Sequence, residues 1–190
     1  MGIVIKVLNR QYHRDQDRGQ GFTLIELVIT IAIMAIIAAM AAPNMQRQIQ
    51  QAKIKTAAND FATVFKDAKV QSVITQKSIK VVLTNTSNAK NLKLFNVGDN
   101  TSTATPQQTF NLDNSITLTA NPTTLRAVSF TPNKKAYQGD TGTGTLMGQD
   151  SNGAAMTTGF SVCLGTATRK YSVNVDANGN VSTQENGICP

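Results

Sequence analysis

Few residues in this chain are equipped for bond chemistry. Its 190 residues include one histidine, His13, and no tryptophan. A lone imidazole provides neither a histidine-based catalytic pair nor a zinc ligand set. Asp99, Asp113, Asp140, Asp150, Asp176 and Glu185 all stand in loop-like surroundings, where solvated acids are ordinary. The stretch Gly142-Thr143-Gly144-Thr145-Leu146-Met147-Gly148 is glycine-rich. Its spacing is wrong for a phosphate loop, and no strand-to-helix context surrounds it. Neither catalysis, nor a cofactor, nor a metal is expected. Three placements remain chemically distinctive. Glu26 is the single charge in a long apolar run, Cys163 and Cys189 are the only cysteines, and the basic pairs Lys134-Lys135 and Arg169-Lys170 lie further along the chain.

Composition narrows the class. Charged residues make up 15% and hydrophobic residues 41% of the chain, against about 25% charged in an average soluble domain. That balance does not fit disorder. The net charge is +7, a scattered excess that permits anionic contacts without requiring them.

Phe22 to Ala42 is apolar apart from Glu26. A helix of that length rises about 30 Å, the hydrocarbon thickness of a bilayer. Positive charge precedes it in Lys6, Arg10, Arg14 and Arg18, which holds the N-terminus in the cytoplasm. An ordinary signal peptide needs a shorter apolar core before its cleavage site. A plain signal anchor explains the length but not Glu26, because an ionisable group in such a segment is costly and usually functional. A third reading places cleavage before the run, between Gly21 and Phe22.

The string Gly21-Phe22-Thr23-Leu24-Ile25-Glu26, followed by the apolar helix and Pro43, resembles the class III leader and helix of type IV pilins and pseudopilins. The resemblance implies that residues 1–21 are a cytoplasmic leader. A prepilin peptidase would cut after Gly21 and methylate the new amino group of Phe22. It also implies a single-pass inner-membrane subunit with a periplasmic head. Through an inner-membrane assembly platform it would enter a cell-surface pilus or a periplasmic pseudopilus, beside other major and minor pilins. The motif has its own physical logic. Gly21 lets an extended chain enter a protease site closely. Glu26, stranded in lipid, would find the amino terminus of a neighbouring Phe22 in a filament, and a missing partner in low dielectric is expensive. The alternative role for Glu26 is to complement the helix dipole.

Pro43 predicts a kink. Beyond it Met45, Ile49, Ala52, Ile54, Ala57, Ala58, Phe61, Val64, Phe65 and Ala68 recur at helical steps. One helix is therefore expected over 22–75, with 22–42 crossing the membrane and the second half amphipathic. Residues 76–190 read as a β-rich head. Strands are expected in SIKVVLTN, NLKLFNV, TFNLDNSITLTA, TLRAVSF, GFSVCLG and KYSVNVD, with a long loop over 131–158. A hairpin at Asp176-Ala177-Asn178-Gly179-Asn180 returns through 181–183. The fold class is α+β, a lollipop whose helix covers one face of an antiparallel sheet.

A head outside the cytoplasm lies in an oxidising compartment, so Cys163 and Cys189 are expected to pair. The last 30 or so residues, with their two cysteines around a basic step, resemble FimT/FimU/GspH-type minor pilins. That implies a subunit supporting pilus assembly, motility or adhesion, or else a GspH-like pseudopilin of a type II secretion system. A further alternative is DNA capture for natural transformation, with Arg169, Lys170, Lys134 and Lys135 as the phosphate contacts.

Overall fold

The computed structural model describes residues 22–86, 89–165 and 169–189, with backbone alone at 41–44. The expected leader 1–21, including Gly21, lies outside the described residues. The chain divides into two compact units between Pro43 and Asn44. Helix α1, Leu24–Thr75, begins in the first unit and ends in the second.

In the first unit every side chain from Phe22 to Met40 is exposed. This stretch is apolar around its whole circumference, the pattern of a helix made for burial. Judged by length and hydropathy, no single described helix is long and apolar enough to cross a membrane. The stretches Leu24–Met40 and Met45–Thr75 pass that test only together. Pro43, the expected kink, is among the residues whose side chains are not described.

In the second unit α1 becomes amphipathic. Ile54, Ala57, Ala58, Phe61, Val64, Phe65 and Ala68 are buried, as their spacing predicts. Met45, Ile49 and Ala52 are exposed instead, so core packing starts only at Ile54. The helix stops where Gln76 takes a left-handed φ of 55°. That conformation cannot continue a right-handed helix.

Among the described residues nine strands follow in two antiparallel sheets, where one sheet was expected. The first sheet contains β1 (Ile79–Asn85), β2 (Lys90–Asn96), β3 (Gln108–Asn111), β5 (Ala127–Phe130) and β6 (Ala136–Gln138), in the order β3-β2-β1-β5-β6. The second contains β4 (Ile116–Asn121), β7 (Gly159–Leu164), β8 (Arg169–Val175) and β9 (Val181–Ile188), in the order β4-β7-β8-β9. The chain thus changes sheet between β3 and β4, which the sequence runs together as TFNLDNSITLTA. It changes back after β4, past the cis bond Asn121–Pro122.

The helix joins the sheets through aromatic rings. Phe61 and Phe65 stand one turn apart with centroids 5.1 Å apart. Phe65 meets Phe130 of β5 at 6.2 Å and Phe160 of β7 at 5.4 Å. One ring therefore touches both sheets. Gly159 permits close packing of β7 on β8, since a Cβ there would lie 2.2 Å from the Val173 carbonyl oxygen.

Two expectations need correction. The expected loop over 131–158 contains β6 and two isolated bridges, Tyr137–Leu146 and Gln149–Ala155. Thr158 fastens its end, donating to the Val175 carbonyl and accepting from the Gly148 amide. Glycine-rich composition hid these short pairings. Strand β9 runs to Ile188 rather than stopping at Thr183. Its outer half is exposed, so no alternation of apolar residues announces it.

Candidate functional site

At the helix start, Thr23 precedes the first helical residue and Glu26 stands three places on. The Glu26 amide donates to Thr23 Oγ1 at 3.3 Å. The Thr23 amide and hydroxyl donate back to Glu26 Oε2 at 3.4 and 3.2 Å. This reciprocal pattern is a capping box, which satisfies amides that a helix start leaves unpaired. Its Thr-x-x-Glu signature is plain in the sequence, although the apolar surroundings of Glu26 point first to a partner on another chain. Glu26 thus has a local partner within its own chain. Phe22 stands beside the box, 81% exposed.

At the other end of the chain, Cys163 in β7 and Cys189 just beyond β9 form a disulfide, with Cα atoms 5.7 Å apart. The pairing expected from compartment and position is present. The bridge joins β7 to the residue that follows β9. It fastens the last turn of chain to the sheet interior, and Cys189 is buried.

The four basic candidates do not gather into one patch. Arg169 donates to Glu185 across the β8–β9 pair, and the Tyr171 hydroxyl donates to the same carboxylate at 3.3 Å. The hydrogen bond to Glu185 holds the Arg169 guanidinium above its ordinary value. Burial, then the Glu185 charge, push the Tyr171 phenol up. Lys170 stands between Arg169 and Tyr171, where the β8–β9 register is irregular. Lys135 sits at the other end of the hairpin, donating to Asn178 Oδ1 at 2.8 Å. Lys134 neighbours it in a left-handed turn, with φ 66°. The seven residues of β8 separate the two pairs, a span of roughly 20 Å.

Lys80 was missed by sequence reasoning. It is almost wholly buried, donates to the Asp99 carbonyl at 2.6 Å, and lies 3.9 Å from Asp140. One strand residue thus fastens two loops over the outer face of the first sheet. Nothing in its β-branched neighbourhood distinguishes it from an exposed lysine. Asp113 anchors the turn between β3 and β4. The Ser115 amide donates to its Oδ1 at 2.9 Å and the Ser115 hydroxyl at 2.7 Å. These bonds, helped by the charges of Lys53 and Lys90, hold the carboxyl below its usual range. No cluster of residues able to hold a metal ion occurs among the described residues.

Residues 17–42 match the prokaryotic N-terminal methylation motif. A curated relative, prepilin peptidase-dependent protein A of Clostridium perfringens, is 33% identical over 89 residues. That match covers 45% of this chain and 62% of the relative, so it spans less than two thirds of that protein's length. Crystal structures of the Pseudomonas aeruginosa type IV minor pilin FimU share the fold. One matches with a TM-score of 0.52 at 14% identity, over 72% of this chain and 99% of FimU. A second crystal form gives 0.53 over 95% of FimU. A prepilin-type methylation motif at the start of an apolar helix, with a minor-pilin fold behind it, makes this chain type IV pilin-like.

Proposed function

We propose that this chain is a minor pilin, cut after Gly21 by a prepilin peptidase and N-methylated on Phe22. It then waits in the cytoplasmic membrane on its apolar helix, with the head outside the cytoplasm. An assembly platform moves it into a pilus or its priming complex, beside other major and minor pilins. The observation that carries this reading is the wholly exposed apolar helix from Phe22 to Met40 with Glu26 near its start. Nothing within the described chain covers that surface, and a large exposed apolar surface marks an interaction site. Lipid covers it before assembly and neighbouring helices cover it afterwards.

Glu26 has two successive partners in this account. In the single subunit it accepts from Thr23. In the filament it meets the methylated amino group of a neighbouring Phe22, whose charge makes the stronger hydrogen bond. The pair serves register more than stability, because desolvation offsets much of its attraction. The separation of Arg169 and Lys170 from Lys134 and Lys135 gives DNA capture no support.

N-terminal sequencing of the mature chain tests the proposal. The first residue should be N-methylphenylalanine. Glu26→Gln should leave cleavage intact and reduce incorporation into sheared filaments at least tenfold. A mature chain that retains the leader, or starts elsewhere, overturns the reading.

A further inference from the structure

Two sheets have four outer edges, and the chain treats them differently. Along β6 the segment 145–147 takes the free backbone groups. The Gln138 amide donates to the Thr145 carbonyl at 2.8 Å, and the Met147 amide to the Ala136 carbonyl at 2.9 Å. Along β4 side chains do this. Asn85 Nδ2 donates to the Leu118 carbonyl at 3.0 Å. Lys90 Nζ donates to the Ile116 carbonyl and, at 2.7 Å, to that of Asn114. Edge β3 is only four residues long, and its Phe110 lines a groove of about 630 Å³ against the helix. Edge β9 is eight residues long and, among the described residues, pairs only with β8.

The register shows which groups β9 leaves free. The Asp176 amide donates to the Asn180 carbonyl, and the Val175 amide to the Thr158 carbonyl just before β7. Antiparallel pairs alternate between hydrogen-bonded and non-bonded. Asn180, Ser182 and Gln184 therefore bond to β8, while Val181, Thr183 and Glu185 direct their N–H and C=O groups outward. Such an edge is ordinarily blocked by lysine, proline or a bulge. None of these interrupts Val181 to Gln184, and the Glu185 carboxylate is already taken by Arg169 and Tyr171. The strand is also held at both ends. Lys69 and Lys135 grip the turn before it through the Asn178 carbonyl, Asn180 Oδ1 and Asn178 Oδ1. The disulfide fixes Cys189 after it. An edge held rigid loses little conformational freedom when a strand is added.

We infer that β9 receives an extended segment from the head of a different, neighbouring pilin, as an added strand. The two faces of β9 set the pattern of that segment. Ser182 and Gln184 are exposed on one face. On the other, Val181 and Thr183 are half-buried opposite Val175 and Val173, which belong to the core. The added segment is therefore polar on its first side and apolar on its second, with a period of two. A second copy is not the occupant. Antiparallel pairing of β9 with itself is isologous and closes as a dimer, whereas a minor subunit has different pilins at its side. The inference rests on the filament reading, which supplies that neighbour.

Photo-cross-linking of the full-length chain, in membranes and in sheared filaments, tests it. With p-benzoylphenylalanine in place of Gln184, the chain should form an adduct with another prepilin-type chain. Mass spectrometry should map that adduct to a segment of alternating polar and apolar residues. The same probe in place of Thr119, exposed on the capped β4 edge, should give at least fivefold less. Thr183→Pro removes an outward N–H and no β8 ladder bond, so it should reduce the Gln184 adduct at least fivefold. Residue-resolved hydrogen exchange of the unsubstituted chain needs no variant to fold. In single subunits the Thr183 and Glu185 amides should exchange about tenfold faster than those of Ser182 and Gln184, and in filaments that difference should vanish. An adduct with a second copy, equal yield at Thr119, or an adduct that persists in folded Thr183→Pro overturns the added strand. Filaments in which Thr183 and Glu185 still exchange fast do the same and leave the filament reading standing. An adduct in membranes from a chain absent from filaments overturns the filament reading alone, and the absence of both removes both.

Discussion

From Phe22 to Met40 the helix exposes every side chain, whereas from Ile54 to Ser72 it buries one face completely against two sheets. The two stretches differ in apolar content as well as in pattern: Glu26 is the single charge in the first, whereas Lys55, Asp60, Lys66, Asp67 and Lys69 interrupt the second. The first is apolar on all sides and has no cover within its own unit. The second alternates with Lys55, Asn59 and Lys66, which face water, and its inner face fits the rings of Phe130 and Phe160. A ring of apolar side chains asks for an environment, and a stripe asks for a partner surface.

The comparison breaks most sharply at Phe65. Phe65→Ala should cost the head about 3–5 kcal/mol, because the ring leaves a cavity where both sheets meet the helix. Leu27→Ala, equally apolar but exposed, should leave head stability within about 0.5 kcal/mol. Thermal unfolding of the two variants in the same detergent checks this. If Leu27→Ala lowers the melting temperature as far as Phe65→Ala does, the stretches are not energetically distinct.

The disulfide comes next. Cys163→Ser with Cys189→Ser should cost the head about 3–4 kcal/mol on the loop-entropy account, since 26 residues separate the cysteines. The helix start lies outside that loop and should be unaffected. Hydrogen exchange read by peptide would show the loss in β7, β8 and β9 and no change over 24–40.

Much of this was legible beforehand. Periodicity placed the helix end at Thr75, and the strand patterns located β1, β2, β5, β7 and β8. Turn chemistry found the hairpin at Asn178-Gly179. The division into two sheets was not legible. Strands β3 and β4 follow each other closely, and nothing local says that the chain crosses between layers at Asp113. The burial of Lys80 was hidden for the same reason, because its cover comes from residues 19 and 60 places away. The capping box was local and readable. The disulfide followed from compartment and position, and no pattern in the chain specified the groove beside Phe110.

A smaller effect separates the stretches at the helix start. Thr23→Val removes the hydroxyl from the capping box and should cost the first turn about 1 kcal/mol. Amide protection near Leu27 should fall roughly fivefold, as that free energy implies. Protection at Phe61 and Phe65 should hold, since their amides open with the head. Equal losses at both places would mean that the helix opens as one unit, and the contrast between its stretches would be one of burial alone.

The finest test sets Asp113 beside Glu26. Each carboxylate accepts an amide and a hydroxyl from one nearby residue, Ser115 for the first and Thr23 for the second. Asp113 stands on the water-exposed surface of the head, where its protonation can be followed by carboxyl-carbon NMR. Its bonds to Ser115 favour the charged form, so its midpoint should lie below that of an unfolded aspartate. The stability these bonds contribute should be complete above the unfolded value and lost as pH falls through the depressed one. Ser115→Ala removes the hydroxyl but keeps the amide, the larger cause of the shift. The midpoint should therefore move only part of the way back. A full return would place the effect in the serine side chain, and the turn backbone at the β3–β4 crossing would then hold no charge in place.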